Sequence, residues 1–480
     1  MVEPSPPAAE GRRSWSWLAY PLMIVAAVAL FLTIRQFGEQ LPAAAPGDAD
    51  PAAGVLNDDH GLMHVLIALA AVIVAGRLLG KVFKVFRQPP VIGEVVAGIM
   101  LGPSLLGQLA PEASQFLLPP SAAPLLGIVA QLGVILYMFL VGLDLNLGLL
   151  NKRAHSTVAI SHASIVTPFL LGALLALLLY PRLSSSDVPF TSFALFLGVS
   201  MSVTAFPVLA RILTDRRIDK TQLGVLALAC AAIDDVTAWC LLAFVVGVAQ
   251  AKADSGLIVL AMTLAYVAFM FLALRPLLAR LVRRLDARPF SANVAALVFV
   301  GVLASAAATE WIGIHAIFGA FLLGAIIPHD SALARTFTHK LEELVTVLLL
   351  PAFFALTGMR TQIGLVSGLD QWLLCGLIIL VATAGKFGGT LAAARLTGLG
   401  WRDGSALGVL MNTRGLMELI VLNIGLDLKV ISPTLFAMLV LMALVTTVAT
   451  TPLLSLLAPH SIELISPAAD GPAHKDLLAL

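Results

Sequence analysis

Long apolar stretches dominate this chain and leave little choice of fold. In windows of about 19 residues, about fourteen stretches are long enough to cross a bilayer as helices. They lie near 17–34, 62–80, 91–109, 122–143, 156–180, 191–213, 221–249, 256–279, 292–310, 312–328, 344–360, 371–394, 403–425 and 432–455. Charged residues make up only 12% of the chain and apolar residues 59%, whereas charged residues approach a quarter of a soluble domain. The sequence therefore predicts an all-α polytopic membrane protein.

Lysine and arginine are unevenly distributed between the connecting loops. Alternate loops contain 18 of them, at 81–90, 144–155, 211–220, 275–288, 329–343 and 395–402. The intervening connections contain only Arg182, Lys252, Arg360 and Lys429. Because basic loops remain in the cytoplasm, we predict a protein of the cell membrane with a cytoplasmic carboxyl terminus.

The first apolar stretch, 17–34, is open to two interpretations. It follows Arg12 and Arg13 and precedes "LPAAAPG", so it fits either a retained signal-anchor helix or a cleaved secretory signal. Its length favours the retained helix. The predicted domains are an anchor helix and external linker at 1–60, a transmembrane domain at 61–456, and a short cytoplasmic tail at 457–480.

Two adjacent acids, Asp234 and Asp235, lie in the middle of an apolar stretch, "LACAAIDDVTAWCLLAFVV". A carboxylate within the membrane is costly and by default marks an ion or proton pathway. Lys386, in "VATAGKFGGTLAAA", is the matching base, and it is long enough to reach one aspartate. The other aspartate is left without a counter-charge, so it is a candidate to exchange a proton for a cation.

Two further stretches contain helix-breaking residues at similar depth. Pro207 interrupts 191–213 close to Thr204, because proline removes a backbone donor and clashes with the preceding turn. The stretch 403–425 contains "MNTRGLMELIVLNIG", with a set of polar and flexible residues: Asn412, Thr413, Arg414, Gly415 and Glu418. The less favoured alternative, for each residue taken alone, is a simple kink at Pro207 and a packing contact at Gly415.

The positions of these two interrupted stretches correspond to each other. Six stretches at 62–249 precede a linker helix at 256–279, and six follow it at 292–455. Each interrupted stretch is the fifth of its set, which is the sequence pattern of a transporter site built from inverted repeats. Arg414 and Glu418, spaced i and i+4, are interpreted as a structural ion pair.

Several blocks resemble the monovalent cation/proton antiporter-2 family over residues 62–455. These blocks are "QPPVIGEVVAGIMLGPSLLG", "LYMFLVGLDLN", "SVTAFPVLARIL", "AAIDDVTAW", "IGIHAIFGAFLLGAIIP" and "MNTRGLMELIVLNIG". The resemblance implies a sodium/proton antiporter-like fold with crossed broken helices and a homodimer of dimerisation and mobile core domains. It implies that Asp235 is the main cation and proton ligand, that Asp234 is the partner of Lys386, and that Thr204 lines the site.

For activity, the resemblance implies exchange of a monovalent cation for protons by alternating access. A site with two aspartates suggests electrogenic exchange, with Na⁺ favoured. The chain lacks the first-position glutamine and the large carboxyl-terminal nucleotide-binding domain of the glutathione-gated potassium efflux branch. Potassium remains open, since "MNTRGLMELIVLNIG" also resembles plant cation/proton exchangers.

Two other classes are considered. An intramembrane aspartyl protease needs two carboxylates on one water, whereas neighbouring residues on a helix project about 100° apart. A gated potassium efflux or other cation channel on the same scaffold differs in that its cation flux needs no opposing proton flux.

Three cysteines without metal-ligand spacing predict no disulfide and no metal site, and a net charge of +1 gives no reason to expect nucleic acid. No cofactor and no enzymatic activity are predicted.

Glu94 follows Pro89 and Pro90, close to the start of a predicted helix. An acid in a first helical turn is favoured by the helix dipole. The sequence therefore favours a structural role for Glu94 over a role in transport.

Overall fold

The computed structural model describes residues 16–44 and 61–457, apart from 87, 118, 120, 121, 145–153, 186, 187, 220, 251–255 and 286–290. Helices account for most of these residues, and no strand occurs among them. The first ten helices are α1 (Ser16–Gly38), α2 (Gly61–Val85), α3 (Pro90–Leu101), α4 (Leu106–Leu109), α5 (Pro111–Leu117), α6 (Ala123–Asp144), α7 (Ala154–Leu183), α8 (Phe190–Ser202), α9 (Phe206–Asp215) and α10 (Gln222–Gln250). The remaining ten are α11 (Gly256–Ala268), α12 (Arg275–Leu285), α13 (Ala292–Ile312), α14 (Ala316–Ile326), α15 (Ala332–Leu344), α16 (Leu350–Arg360), α17 (Gly368–Leu396), α18 (Trp401–Met411), α19 (Leu416–Asp427) and α20 (Pro433–Leu457).

Twelve spans in the described part of the chain are long and apolar enough to cross a membrane, and thirteen when the bent pair α18 and α19 counts as one. Every predicted apolar stretch overlaps a helix. The stretch 312–328 is shorter than predicted, since α14 has only 11 residues. Gly313 and His315 have φ angles of +95° and +75°, and this left-handed backbone ends α13 before α14 begins.

Two predicted cytoplasmic loops are instead helical. Of the predicted loop 275–288, the described residues 275–285 form α12, which a π-helical segment (Phe269–Leu274) joins to α11. The loop 329–343 is occupied by α15, joined to α16 by a second π-helical segment (Val345–Leu349). Their arginines, lysines and leucines are good helix formers, and Ser331 caps α15 by accepting a hydrogen bond from the Ala334 amide at 3.1 Å. The basic composition that led to the prediction of loops did not predict the helical backbone.

The helices pack into two bundles. The scaffold bundle comprises α2, α3, α6, α13, α14, α15 and α16, and the core bundle comprises α7, α8, α9, α10, α17, α18, α19 and α20. Each half of the chain therefore contributes three spans to each bundle. The helix α1 packs on α7 and α8 of the core bundle, and α11 lies against α10 and α13.

Small residues allow close approach within the bundles. In the scaffold, α6 and α14 meet at Gly142 and Gly324, where a methyl group added to Gly142 would lie 2.9 Å from the Gly324 Cα atom. In the core, α17 meets α7 at Gly389, where a methyl group would lie 2.7 Å from the Ala163 carbonyl oxygen. Such contacts are the usual means of packing helices in lipid.

The predicted anchor helix corresponds to α1. The rest of the predicted amino-terminal region, at 1–15 and 45–60, and the predicted tail at 458–480 lie outside the described residues. The aromatic pair Phe31 and Phe169, with ring centroids 5.8 Å apart, lies between α1 and α7.

Candidate ion-binding site

The first interrupted span breaks at residues 203–205, between α8 and α9. Val203 and Ala205 are extended, with ψ angles of 137° and 91°. Pro207 lies in the first turn of α9. Its ring is incompatible with a helical carbonyl four residues earlier, at Val203, so the break is where the sequence predicts it.

The second interrupted span breaks at residues 412–415, and α18 and α19 are bent by 46°. The two breaks cross, because the Ala205 amide donates a hydrogen bond to the Thr413 carbonyl at 2.9 Å. Thr447 of α20 holds the second break: its hydroxyl donates to the Arg414 carbonyl at 2.7 Å and accepts from the Arg414 amide at 2.9 Å. Backbone groups without helical partners are thus satisfied inside the protein, as the bilayer requires.

Asp234 accepts hydrogen bonds from three hydroxyl groups. Ser161 donates at 2.5 Å, Ser164 at 2.8 Å and Thr204 at 2.8 Å. Lys386 adds an ion pair at 2.9 Å, and both charged side chains are fully buried. Asp234 is therefore a neutralised and hydrogen-bonded carboxylate, which is the state that burial of a charge demands.

The next residue, Asp235, has a different environment. Its carboxylate accepts a hydrogen bond from the Phe206 amide, at the start of α9. Its Oδ1 atom is buried and has no partner among the described residues. The side of α10 that carries Asp235 thus presents a carboxylate with an unused acceptor beside a helix amino terminus.

Lys386 is held in place by its helix and by two acceptors. Besides Asp234, its ammonium group donates to the Ser202 carbonyl at 2.6 Å. The neighbouring Gly385 lies so close to α7 that a methyl group there would be 2.8 Å from the Pro168 Cα atom. This close approach brings Lys386 within reach of the hydroxyl groups of α7.

Arg414 and Glu418 form a fully buried ion pair at 2.8 Å. The Arg414 guanidinium also donates to the carbonyl oxygens of Ser200 at 2.9 Å and Met201 at 2.7 Å. These carbonyls belong to the last turn of α8, where helical partners are missing and the dipole is negative. Two cations, Arg414 and Lys386, therefore stabilise the carboxyl end of α8.

The structure brings most of the predicted residues into one region. Thr204 contacts Asp234 rather than Asp235. Gly415 packs against α9 across the crossing, where a methyl group on Gly415 would lie 2.8 Å from Val208, the residue that follows Pro207. Asn412 and Thr413 lie in the second break, each with a buried side-chain oxygen that has no partner among the described residues.

Sequence reasoning missed the hydroxyl groups of Ser161 and Ser164. They are spaced i and i+3 on α7, so they share one helix face. The available signal was this spacing within an otherwise apolar span, "AISHASIV". This signal was weak because the hydroxyl of a serine in a membrane helix also donates a hydrogen bond to the backbone carbonyl four residues earlier, with no role in a site.

A cavity of about 530 Å³ leads from one membrane face towards the first break. It lies between the two bundles and is lined by α2, α3, α6 and α16 on one side and by α9 and α19 on the other. Ala205 and Pro207 form part of its wall. At the opposite face the bundles touch: Arg360 of α16 pairs with Asp427 of α19 at 2.8 Å, and Asn423 donates to Thr357 at 2.9 Å.

No group of three or more histidine, cysteine, aspartate or glutamate residues in the described part of the chain is placed to hold a metal ion. The site offers one carboxylate oxygen of Asp235 without a partner among the described residues, together with the backbone groups at the breaks of two helices. Buried charges at crossed half-helices are the architecture of a secondary membrane transporter.

Comparison with known proteins gives the family. The model of the sodium/hydrogen exchanger transmembrane family matches residues 66–457. The Na(+)/H(+) antiporter NhaS4 of Synechocystis is 43% identical over 405 residues, covering 84% of this chain and 99% of that protein. The chain therefore belongs to the sodium/hydrogen exchanger family, and the resemblance identified from its motifs is confirmed.

Two eukaryotic relatives are longer. Cation/H(+) antiporter 20 of Arabidopsis thaliana is 39% identical, over 83% of this chain and 49% of that protein. K(+)/H(+) antiporter 1 of Saccharomyces cerevisiae is 34% identical, over 84% of this chain and 47% of that protein. The chain thus spans about half the length of these relatives.

The predicted fold class is confirmed by a solved structure. The sodium proton antiporter MjNhaP1 of Methanocaldococcus jannaschii aligns with a TM-score of 0.64 and 15% identity, over 84% of this chain and 100% of that one. At this identity the likeness shows the fold, that is, the arrangement of the helices.

Proposed function

We propose that this protein is a secondary antiporter that exchanges a monovalent cation for protons across the cell membrane. The observation that carries the proposal is the contrast between the two acids. Asp234 is already neutralised by Lys386 and three hydroxyl groups, whereas Asp235 keeps a buried oxygen without a partner. A carboxylate in this state binds either a proton or a cation, but not both.

Na⁺ is the favoured cation, and K⁺ is the second. Relatives named as a Na(+)/H(+) antiporter and a K(+)/H(+) antiporter are similar over most of this chain. Oxygen ligands are available at Asp235 and at the broken backbone of residues 203–205, with the amino terminus of α9 beside them. Thr204 acts by orienting Asp234 in this scheme, since its hydroxyl is committed there.

Access to Asp235 alternates between the two faces of the membrane. The 530 Å³ cavity opens on the face that carries Lys81 and Lys84, which the basic loops assign to the cytoplasm. The contacts from Arg360 and Asn423 close the opposite face. Movement of the core bundle along the scaffold bundle would close the cavity and open the opposite face, as in rocking-bundle transport.

The scaffold bundle is the proposed surface of a homodimer, and the carboxyl terminus is proposed to be cytoplasmic. An enzyme is disfavoured, because the two aspartates do not share a water-sized site: Asp234 faces Lys386, and Asp235 faces the Phe206 amide. A channel is disfavoured by the contacts that close the outer face.

The first expected result is the activity itself. In inverted vesicles with an imposed pH gradient, added Na⁺, and more weakly K⁺, should move protons, because cation binding at Asp235 displaces its proton. A fluorescent pH indicator reports the change. Cation flux without opposing proton flux would indicate the channel instead, and no response to Na⁺, K⁺, Li⁺ or Rb⁺ over pH 6 to 9 would refute the proposal.

The second expected result concerns stoichiometry. Lys386 depends on Asp234, so a cation that draws Asp234 away would ease release of a proton from Lys386. Two protons would then exchange for one cation, and a membrane potential would drive transport by about 2.3 kcal/mol per 100 mV for each net charge. Reconstituted protein under a valinomycin-clamped potential should therefore show a balance point that shifts with the potential.

Lys386→Gln separates the two possible roles of this lysine. If Lys386 carries a proton, the variant should lose the dependence on potential while still exchanging ions. If the wild-type balance point ignores the potential, exchange is one for one and Lys386 serves only as the counter-ion of Asp234.

A further inference from the structure

The cavity between the bundles has an unusual charge for a cation path. Its described lining contains four basic side chains, Arg77, Lys81, Lys84 and Arg211, and a single acid, Glu94. A cavity of one sign raises the local concentration of oppositely charged ions and excludes ions of its own sign. A monovalent cation that moves through it therefore meets net repulsion everywhere except near Glu94.

Glu94 has no structural task that accounts for its position. Residue 94 is in the second turn of α3, and the first turn contains no acid, so stabilisation of the helix dipole does not explain it. No hydrogen bond or ion pair links it to another residue in the described part of the chain. The expectation from the sequence of a purely structural glutamate is therefore not supported by its contacts.

The stem of Glu94 packs closely against α2, and its side chain also lines the open cavity. Across from it on α2 is Gly76, where a methyl group would lie 3.3 Å from the Glu94 Cγ atom. Arg77, on the next position of α2, is the charged group that acts on Glu94. A carboxylate with space beside it and a single basic neighbour keeps oxygen atoms available.

Glu94 also lies on the route to the site. The same cavity that contains Glu94 reaches Ala205 and Pro207, on either side of Phe206. The Phe206 amide is the group that binds Asp235. An ion that moves from the basic rim to Asp235 thus passes Glu94 within one continuous cavity.

We propose that Glu94 forms a second monovalent-cation site, which holds the cation in the cavity before it reaches Asp235. The inference rests on the proposed antiport function. Glu94 sets how strongly the cavity attracts cations, and Arg77 weakens that attraction. Glu94 takes no part in the exchange step at Asp235, so the two acids affect different kinetic quantities.

The test is the half-saturating cation concentration of Glu94→Gln, with Na⁺ presented to the cavity face in inverted vesicles. We expect it to rise about tenfold, the effect of losing about 1.4 kcal/mol of attraction, while the maximal rate stays the same. In right-side-out vesicles, where Na⁺ meets the opposite face, it should not change. Added choline chloride should reduce the difference, because salt screens the attraction.

Four variants act as controls. Glu94→Asp keeps the charge and should stay near wild type, and Glu112→Gln removes an exposed acid of α5 without effect. Arg77→Gln should lower the half-saturating concentration, and the double variant Glu94→Gln/Arg77→Gln should return towards wild type. If Glu94→Gln folds poorly, the half-saturating cation concentration of Arg77→Gln and its salt dependence in wild type still test the proposal.

Equal half-saturating concentrations in active wild type and Glu94→Gln, or equal changes from both faces of the membrane, would overturn this proposal. So would an unchanged half-saturating concentration in Arg77→Gln. Wild-type protein that exchanges no cation for protons would instead refute the proposed function, and this inference with it.

Discussion

Asp235→Asn is expected to abolish exchange in a protein that still folds. The amide has nearly the shape of the carboxylate, and it is able to accept the hydrogen bond from the Phe206 amide. It neither binds a proton at working pH nor carries the negative charge that attracts a cation. Proton release on addition of Na⁺ should be lost, and size-exclusion elution and the unfolding temperature should stay near wild type.

Asp234→Asn is the matched control, because it makes the same chemical change one residue away. Here the amide would face three hydroxyl donors and a buried ammonium group that has lost its counter-ion. Leaving a buried charge unpaired costs about 3–5 kcal/mol, so the unfolding temperature should fall first. The assignment of the two roles is wrong if Asp235→Asn still exchanges ions, or if both variants fail to fold to the same extent.

Arg414→Gln is expected to destabilise the protein by about 3–5 kcal/mol, since it removes one partner of a buried ion pair. The change leaves Glu418 buried without its counter-charge. It also removes the donors to the carbonyl oxygens of Ser200 and Met201. Thermal unfolding in detergent, followed by intrinsic fluorescence, should show a markedly lower transition temperature than wild type.

The double variant Arg414→Gln/Glu418→Gln tests the reason for this loss. With both charges removed, the unpaired carboxylate no longer contributes, and part of the stability should return. The carbonyl oxygens at the end of α8 remain without their donors, so recovery should be incomplete. A double variant no more stable than Arg414→Gln would show that the cost lies in the carbonyl contacts and not in the ion pair.

Local sequence rules predicted the breaks well. Pro207 determines where the first span breaks, through a clash with the residue four positions earlier. The second break followed from glycine and polar residues that a bilayer tolerates only inside a protein. The proline of the first break and the glycine and polar residues of the second each act within a single span. Such local effects can be predicted from the composition and spacing of the residues in that span.

The partners across helices were not predictable in this way. Lys386 could have reached either aspartate by length alone, and the resemblance to a family was needed to favour Asp234. The choice depends on the close approach of Gly385 and Gly389 to α7, which places Lys386 beside Ser161 and Ser164. The late start of α14, at Ala316 instead of residue 312, was missed because His315 has a positive φ angle, and residues other than glycine seldom adopt one.

The contacts that close the face opposite the cavity bias this protein towards one orientation. The partly exposed pair of Arg360 and Asp427 contributes about 0.2–1 kcal/mol, and the buried bond from Asn423 to Thr357 contributes about 1 kcal/mol. About 1.4 kcal/mol corresponds to a tenfold ratio of populations. Without bound ions, these contacts therefore favour the orientation with the open cavity over the opposite orientation by about tenfold. Such a carrier rectifies: equal and opposite ion gradients drive unequal fluxes, although the gradient at which net flux stops is the same from either side.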